Sequence, residues 1–135
     1  MKGAYILLIE NRKDSKIRIG TLGKLFFQKG LYAYVGSAMN GLEARINRHL
    51  RAEKKTHWHI DYFLKNKNVK IKQVYYKESS RKEECNIAKK ISEYGKSVKG
   101  FGCSDCKCES HLFRIKNFNP RTWASWKAIS VKAGV

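Results

Sequence analysis

Two helix-period stretches carry side chains that could do phosphate chemistry. In residues 41–53, apolar Leu42, Ile46 and Leu50 recur every fourth position and form one stripe of a helix. Arg45 and His49 lie on the flank of that stripe, while Arg48 and Arg51 point toward solvent. A guanidinium at such a boundary stays protonated and can grip a phosphate at two points. The ordinary alternative is an arginine in a salt bridge. In residues 81–95, Ile87, Ala88, Ile91 and Tyr94 define an apolar face, and Glu84 falls near its middle. A carboxylate there is costly without a cation. The cation could be an Arg or Lys, or a divalent ion such as Mg2+, which takes one or two carboxylates and keeps several waters.

A second kind of chemistry is suggested by sulfur. Cys103, Cys106, Cys108 and His111 supply four soft ligands within nine residues, a set that Zn2+ accepts tetrahedrally. The closure is tight for one ion, and Cys85 could replace one ligand. Two alternatives stand beside zinc: a thiol-rich loop packed on the core with Asp105 and His111 hydrogen-bonded, and a loop that lines a cleft. The cysteine usage suits metal or reduced thiols better than a disulfide framework. His57 and His59 stand two apart, so they do not share one helical face; a capped helix start with one His inward is the bland reading, and phosphate contact the functional one. Tyr5, Tyr32 and Tyr34 on core strands are ordinarily packing residues whose phenols need hydrogen-bond partners.

The elements that must position these groups follow from patterning. Residues 3–9 (GAYILLI) are apolar on both faces and read as a central strand. Residues 11–15 form a turn, and 16–20 and 24–28 short strands. Residues 31–36 (LYAYVG) form a second central strand, with Tyr32 and Tyr34 on one face and Leu31, Ala33 and Val35 on the other. A turn through Ser37 leads into the helix at 41–53, with Asn40 as its cap. A helix over 56–66 with Thr56 as cap follows, then a strand over 69–77 with Val69, Ile71, Gln73 and Tyr75 on one face. The helix at 81–95 stops at Gly95. An irregular loop over 96–110, a short strand over 111–116 and a short helix over 121–129 complete the chain. The expected class is α+β: a small, mainly antiparallel sheet with a three-stranded core, flanked by helices.

The bulk composition bounds the partner. The 135 residues suggest one domain, and a hydrophobic fraction of 42% is enough for a core. The formal net charge of +18 suits a polyanion, because neutralising phosphates releases counterions; a lysine-rich solvated surface is the alternative. The longest apolar run, residues 4–9, is far shorter than the roughly 20 residues that span a bilayer. With no signal-peptide pattern, a soluble cytoplasmic protein without membrane contact is expected.

Residues 34–49, YVGSAMNGLEARINRH, resemble the second half of the GIY-YIG nuclease signature: Tyr34, Val35, Gly36 and Ser37, then Leu42, Arg45 and His49. Gly3, Ala4 and Tyr5 are similar to its first half. The match resembles phage homing endonucleases and the nuclease domain of the bacterial excision-repair incision protein. THWHIDYFL at 56–64, EECNIA at 83–88 and GFGCSDCKCESHLF at 100–113 are similar to a small prokaryotic, mainly archaeal branch of URI-type endonucleases. Members of that branch are sometimes fused to endonuclease III-like glycosylases. The resemblance covers residues 1–118, leaving 119–135 as a basic, aromatic tail. In that tail Trp123 and Trp126 would stack on bases or pack on the domain.

The resemblance implies a metal-dependent endonuclease acting on nucleic acid, DNA ahead of RNA, in repair and with a repair-protein partner. Tyr5 and Tyr34 would face each other across the site, one helping to deprotonate the attacking water and the other positioning it or the phosphate. Arg45 would stabilise phosphate charge, His49 would assist proton transfer or hold Arg45, and Glu84 would bind Mg2+ or Mn2+. Ser37, Arg48, His57 and His59 are the candidates for substrate contact. The long stretch between Tyr5 and Tyr34 implies an inserted hairpin, and the Asn that follows the metal Glu in some relatives has no counterpart. A catalytically inactive nucleic-acid-binding module is the competing function, and a zinc-stabilised RNA-binding protein a third.

Overall fold

The chain hangs on one strand that is buried on both faces. The computed structural model describes residues 1–103, 108–123 and 125–130. Strand β1 (Gly3–Asn11) pairs antiparallel with β4 (Gly30–Ala38) on one side and with β5 (Val69–Glu78) on the other. The sheet is larger than the three strands expected. β7 (Leu112–Ile115) pairs with β4, β6 (Gly95–Ser97) with β7, and β8 (Lys127–Ser130) with β5. The result is a six-stranded antiparallel sheet in the order β6-β7-β4-β1-β5-β8. The added strands are short, and they cover the unpaired backbone edges that a three-stranded sheet would leave. Between β1 and β4, β2 (Ser15–Arg18) and β3 (Lys24–Phe27) form a separate two-stranded ribbon, the inserted hairpin expected from the sequence. The Asn11 side-chain amide ties it to β1 by donating to the carbonyls of Phe27 and Gln28, 3.2 Å each.

Alternation along β1 and β4 splits the core between the faces. Tyr5, Leu7, Ile9, Tyr32 and Tyr34 join one apolar cluster with residues of α1 (Leu42–Leu50) and α2 (His59–Leu64). Ala4, Ile6, Ala33 and Val35 join the other with α3 (Glu84–Ile91). The regular alternation expected along residues 69–77 fails. Leu8 faces Gln73 but Ile9 faces Ile71, so Lys72 is an extra residue in β5. That bulge reverses the facing of the strand. Val69 and Ile71 therefore join Val74 and Tyr76 on the α1/α2 face, while Tyr75 lies on the α3 face.

Several element ends differ from the sequence reading, each for a local reason. α1 begins after Gly41, whose φ of 146° suits glycine, and no side chain caps it; Asn40 is not the cap. α2 begins at His59 without Thr56, because the Asp61 carboxylate accepts the backbone N–H groups of His57 and Trp58, 2.9 Å each. α3 ends at Ile91 in a single 3-10 turn, and Gly95 is a strand residue. A Cβ on Gly95 would run into the Arg114 carbonyl across the β6–β7 pair, so close strand approach, not helix termination, demands glycine there. The helix expected over 121–129 is replaced by a 3-10 turn at Pro120–Thr122 and by β8. Tertiary packing decides it: Trp123 lies 5.5 Å from Phe118 and 6.1 Å from both Tyr94 and Trp126, ring centre to ring centre. Among the described residues no helix is long and apolar enough to cross a membrane.

Asp61 is the polar tie between the helices of the first face. Its carboxylate, with no exposed side-chain surface, takes Arg48 Nη1 and Nη2 in a two-point bond, at 2.9 and 3.0 Å. Asp61→Asn keeps the shape but removes the charge and one acceptor. We expect it to lower the unfolding free energy by roughly 3 kcal/mol in a urea titration, because Arg48 is left uncompensated. A loss under about 0.5 kcal/mol, the size of an exposed pair, would show that the bond contributes little.

Candidate functional site

The register of β1 and β4 builds the floor of the site. Tyr5 stands opposite Gly36, and Tyr34 stands opposite Leu7, so both phenols leave the sheet on the α1 side, ring centres 6.5 Å apart. Gly36 is required by this arrangement: a Cβ built there would collide with the Tyr5 hydroxyl. Over the bare glycine, Tyr5 reaches His49 in the last turn of α1, with its hydroxyl 2.7 Å from Nε2. Both residues are almost completely buried. One turn earlier, Arg45 Nη1 donates to the Ser37 carbonyl at 3.3 Å, and its guanidinium lies 4.5 Å over the Trp58 ring. The Ser37 hydroxyl is buried and has no hydrogen-bond partner among the described residues.

Arg48 does not point to solvent. It is bound to Asp61 and to the Lys55 carbonyl, and it lies 4.3 Å over Trp58. The buried Asp61 draws it inward, an attraction that helical spacing alone does not show. With three N–H groups bonded to protein, Arg48 forms part of the cleft wall. His59 is also oriented: its Nδ1 accepts the Gly102 N–H at 2.8 Å, so the neutral ring carries its proton on Nε2. His57 packs beside Trp58, ring centres 5.3 Å apart.

These groups surround one cleft of about 1020 Å³. Tyr5, Tyr34, Ser37, Arg45, Arg48, His57 and His59 line it, together with Glu84, Cys85 and Asn86 from the first turn of α3, Lys82 before it, and His111. His49 lies beneath, behind Tyr5. Glu84 is half-buried and, among the described residues, makes no hydrogen bond or ion pair; the neighbouring Glu83 is the one that bonds Lys77, at 3.3 Å. An inward carboxylate without a protein cation, next to two phenols and an arginine, fits a hard divalent ion. The Arg or Lys partner considered for Glu84 is not formed. Tyr34 likewise makes no hydrogen bond through its hydroxyl among the described residues, although it borders the cleft.

Among the described residues, Cys85 takes a place beside the nine-residue set. Cys85 and Cys108 stand at disulfide distance, Cα atoms 5.9 Å apart, and His111 Nε2 is 3.9 Å from the Cys85 sulfur. Cys85, Cys108 and His111 thus form the cluster that could hold a metal. Cys103 lies outside it, its sulfur 3.5 Å from the Phe101 carbonyl, and Cys106 falls outside the described residues. Residues far apart in the chain meet because the 108–111 segment is laid against α3, which sequence spacing cannot show.

Burial controls the protonation states. It pushes Tyr5 well above the ordinary tyrosine value, against the pull of Arg45. Tyr34 is raised too, by burial first and then by Tyr5 and Glu84. Both phenols are neutral hydrogen-bonding groups near pH 7. Burial, helped by the Lys54 ammonium, lowers His49 to about 3, so its ring is neutral as well. For Asp61, Arg48 and the two backbone N–H groups outweigh the opposing effect of burial and hold it below the ordinary carboxylate range.

An antiparallel α+β domain with a cleft rich in phenol, guanidinium and imidazole groups is the class that fold and site define. Within that class, the chain belongs to the family described as Domain of unknown function DUF123, whose model it matches over residues 4–131. No curated protein and no solved structure matches it.

Two outcomes test this geometry. Gly36→Ala should lower the unfolding free energy by about 1–3 kcal/mol in urea, because the added methyl displaces Tyr5 from His49; unchanged stability would mean that Tyr5 does not occupy the space over Gly36. His49 takes up a proton at about pH 3 when folded but near 6.5 when unfolded. Between those limits the unfolded chain binds more protons, so stability falls as pH drops, by up to about 1.4 kcal/mol per pH unit from this group. His59, also lowered by burial, contributes with the same sign. The His49 ring carbons should keep neutral-imidazole NMR shifts from pH 7 to pH 5; titration near pH 6.5 would rule out the buried Tyr5–His49 pair.

Proposed function

We propose that this protein is a metal-dependent endonuclease of GIY-YIG type, hydrolysing phosphodiester bonds in nucleic acid, DNA ahead of RNA. The convergence of Tyr5, Tyr34, Arg45 and an unpaired Glu84 on one cleft carries the reading. The four come from β1, β4, α1 and α3, and ordinary packing has no need of an inward carboxylate without a cation. The net charge of +18 suits the polyanionic substrate.

Glu84 would hold Mg2+ or Mn2+, which supplies polarisation of the phosphate and stabilisation of the leaving oxygen. Arg45 already rests on Trp58 and the Ser37 carbonyl, so little reorganisation is needed for its remaining N–H groups to meet a phosphate oxygen. Tyr5 is pinned by His49, and the neutral imidazole keeps that bond without adding charge. Tyr34, whose hydroxyl makes no hydrogen bond among the described residues, is then the phenol that, neutral at pH 7, orients the attacking water by hydrogen bonding. The buried Ser37 hydroxyl and the Nε2–H of His59 offer further hydrogen bonds to the substrate. A role in repair, with a repair protein as partner, extends the same reading.

Labelled single-stranded, duplex and branched DNA, and RNA, should be incubated with the full chain and Mg2+ or Mn2+. Wild type should cut at least one substrate, and both Glu84→Ala and Tyr34→Phe should lose about 100-fold or more of that activity while remaining folded. Tight binding without cutting on every substrate would instead favour a non-catalytic nucleic-acid-binding module.

A further inference from the structure

Beside Glu84 lies a second group of ligands with a different chemical character. Cys85 follows Glu84 in the first turn of α3, and Cys108 and His111 come from the segment leading into β7. Their ligand atoms all lie within 4.8 Å of one another. Ligands on a tetrahedral Zn2+, at about 2.3 Å for sulfur and 2.0 Å for nitrogen, stand roughly 3.5 Å apart, close to the 3.9 Å between the Cys85 sulfur and His111 Nε2. His111 is held by its backbone, which donates to the Phe101 carbonyl at 2.9 Å and accepts from Val35 N–H at 3.0 Å. Its main chain is therefore fixed, and its ring Nε2 stands 3.9 Å from the Cys85 sulfur. Two thiolates and an imidazole select a borderline-soft ion, whereas the lone oxygen ligand Glu84 suits a hard one.

We propose that Cys85, Cys108 and His111 form a Zn2+ site in the reduced protein, and that the Cys85–Cys108 disulfide is the alternative, metal-free state of the same residues. The two states exclude each other, because disulfide sulfurs have no thiolate to offer. In the interconversion a dithiol reductant gives two electrons and two protons to the disulfide and becomes a disulfide itself. Zn2+ then displaces the two thiol protons to solvent. Cys85 and His111 line the cleft, so the site is reached from that side. In either state the 108–111 segment is fastened to the turn that carries Glu84. The site does not depend on the nuclease reading, since it is detected without any nucleic acid.

Co2+ is the probe, because its thiolate complexes absorb in the near ultraviolet and visible. Full-length protein, reduced and then freed of reductant under argon, should develop thiolate-to-cobalt bands that saturate at about one ion per chain and vanish on adding Zn2+. Protein left oxidised should show none. Cys85→Ser and His111→Gln should each lose the bands while Cys103→Ser keeps them, with circular dichroism confirming that each variant is folded. Absence of the bands in reduced, folded wild type would overturn the proposal. So would their loss in Cys103→Ser with retention in Cys85→Ser, which would return the ligands to the 103–111 cluster.

Discussion

Much of this structure depends on the contact between Tyr5 and His49 over Gly36. For the bond to form, β1 and β4 must pair in one register, position 36 must lack a side chain, and α1 must return over the sheet. Leu42 and Ile46 supply the last condition by burying their side chains on the Tyr5 face. A slip of one residue between β1 and β4 would turn Tyr5 to the other face of the sheet and put a side chain where Gly36 now stands. Core packing and site geometry are thus set by the same pairing.

The roof of the cleft rests on a second constraint, the buried Asp61. One carboxylate caps α2, binds Arg48 at two points and thereby brings Arg48 against Trp58, which also carries Arg45. Buried charge is tolerated here because the carboxylate accepts four hydrogen bonds, two of them from a guanidinium. The consequence is a division of labour on α1. Arg48 spends three N–H groups on protein partners and shapes the wall, while Arg45 makes one such hydrogen bond, to the Ser37 carbonyl.

The first turn of α3 contributes to the same cleft in two ways. Glu84 and Cys85 are adjacent in sequence and both line it, and Cys85 also meets Cys108 and His111. Successive residues on a helix diverge by about 100°, which lets one turn present a carboxylate and a thiol in different directions.

By itself, the sequence determined the strands at the centre, the two main helical stripes and the candidate residues Tyr5, Tyr34, Arg45, His49 and Glu84, because these are carried by short-range periodicity and by motif spacing. Glu84 stood out for a physical reason: a charge in an apolar stripe demands a partner wherever the helix docks. The tertiary structure decided what depends on neighbours distant in the chain. The Lys72 bulge reversed the facing of β5, the buried Asp61 turned Arg48 inward, and the aromatic cluster around Trp123 replaced a helix with a turn and an edge strand. Gly95 was demanded by the β6–β7 contact, which a helix-stop reading could not anticipate. The cysteines show the same limit most plainly: spacing gathers Cys103, Cys106, Cys108 and His111 with Cys85 as a substitute, and only the packing of α3 decides that, among the described residues, Cys85 meets Cys108 and His111.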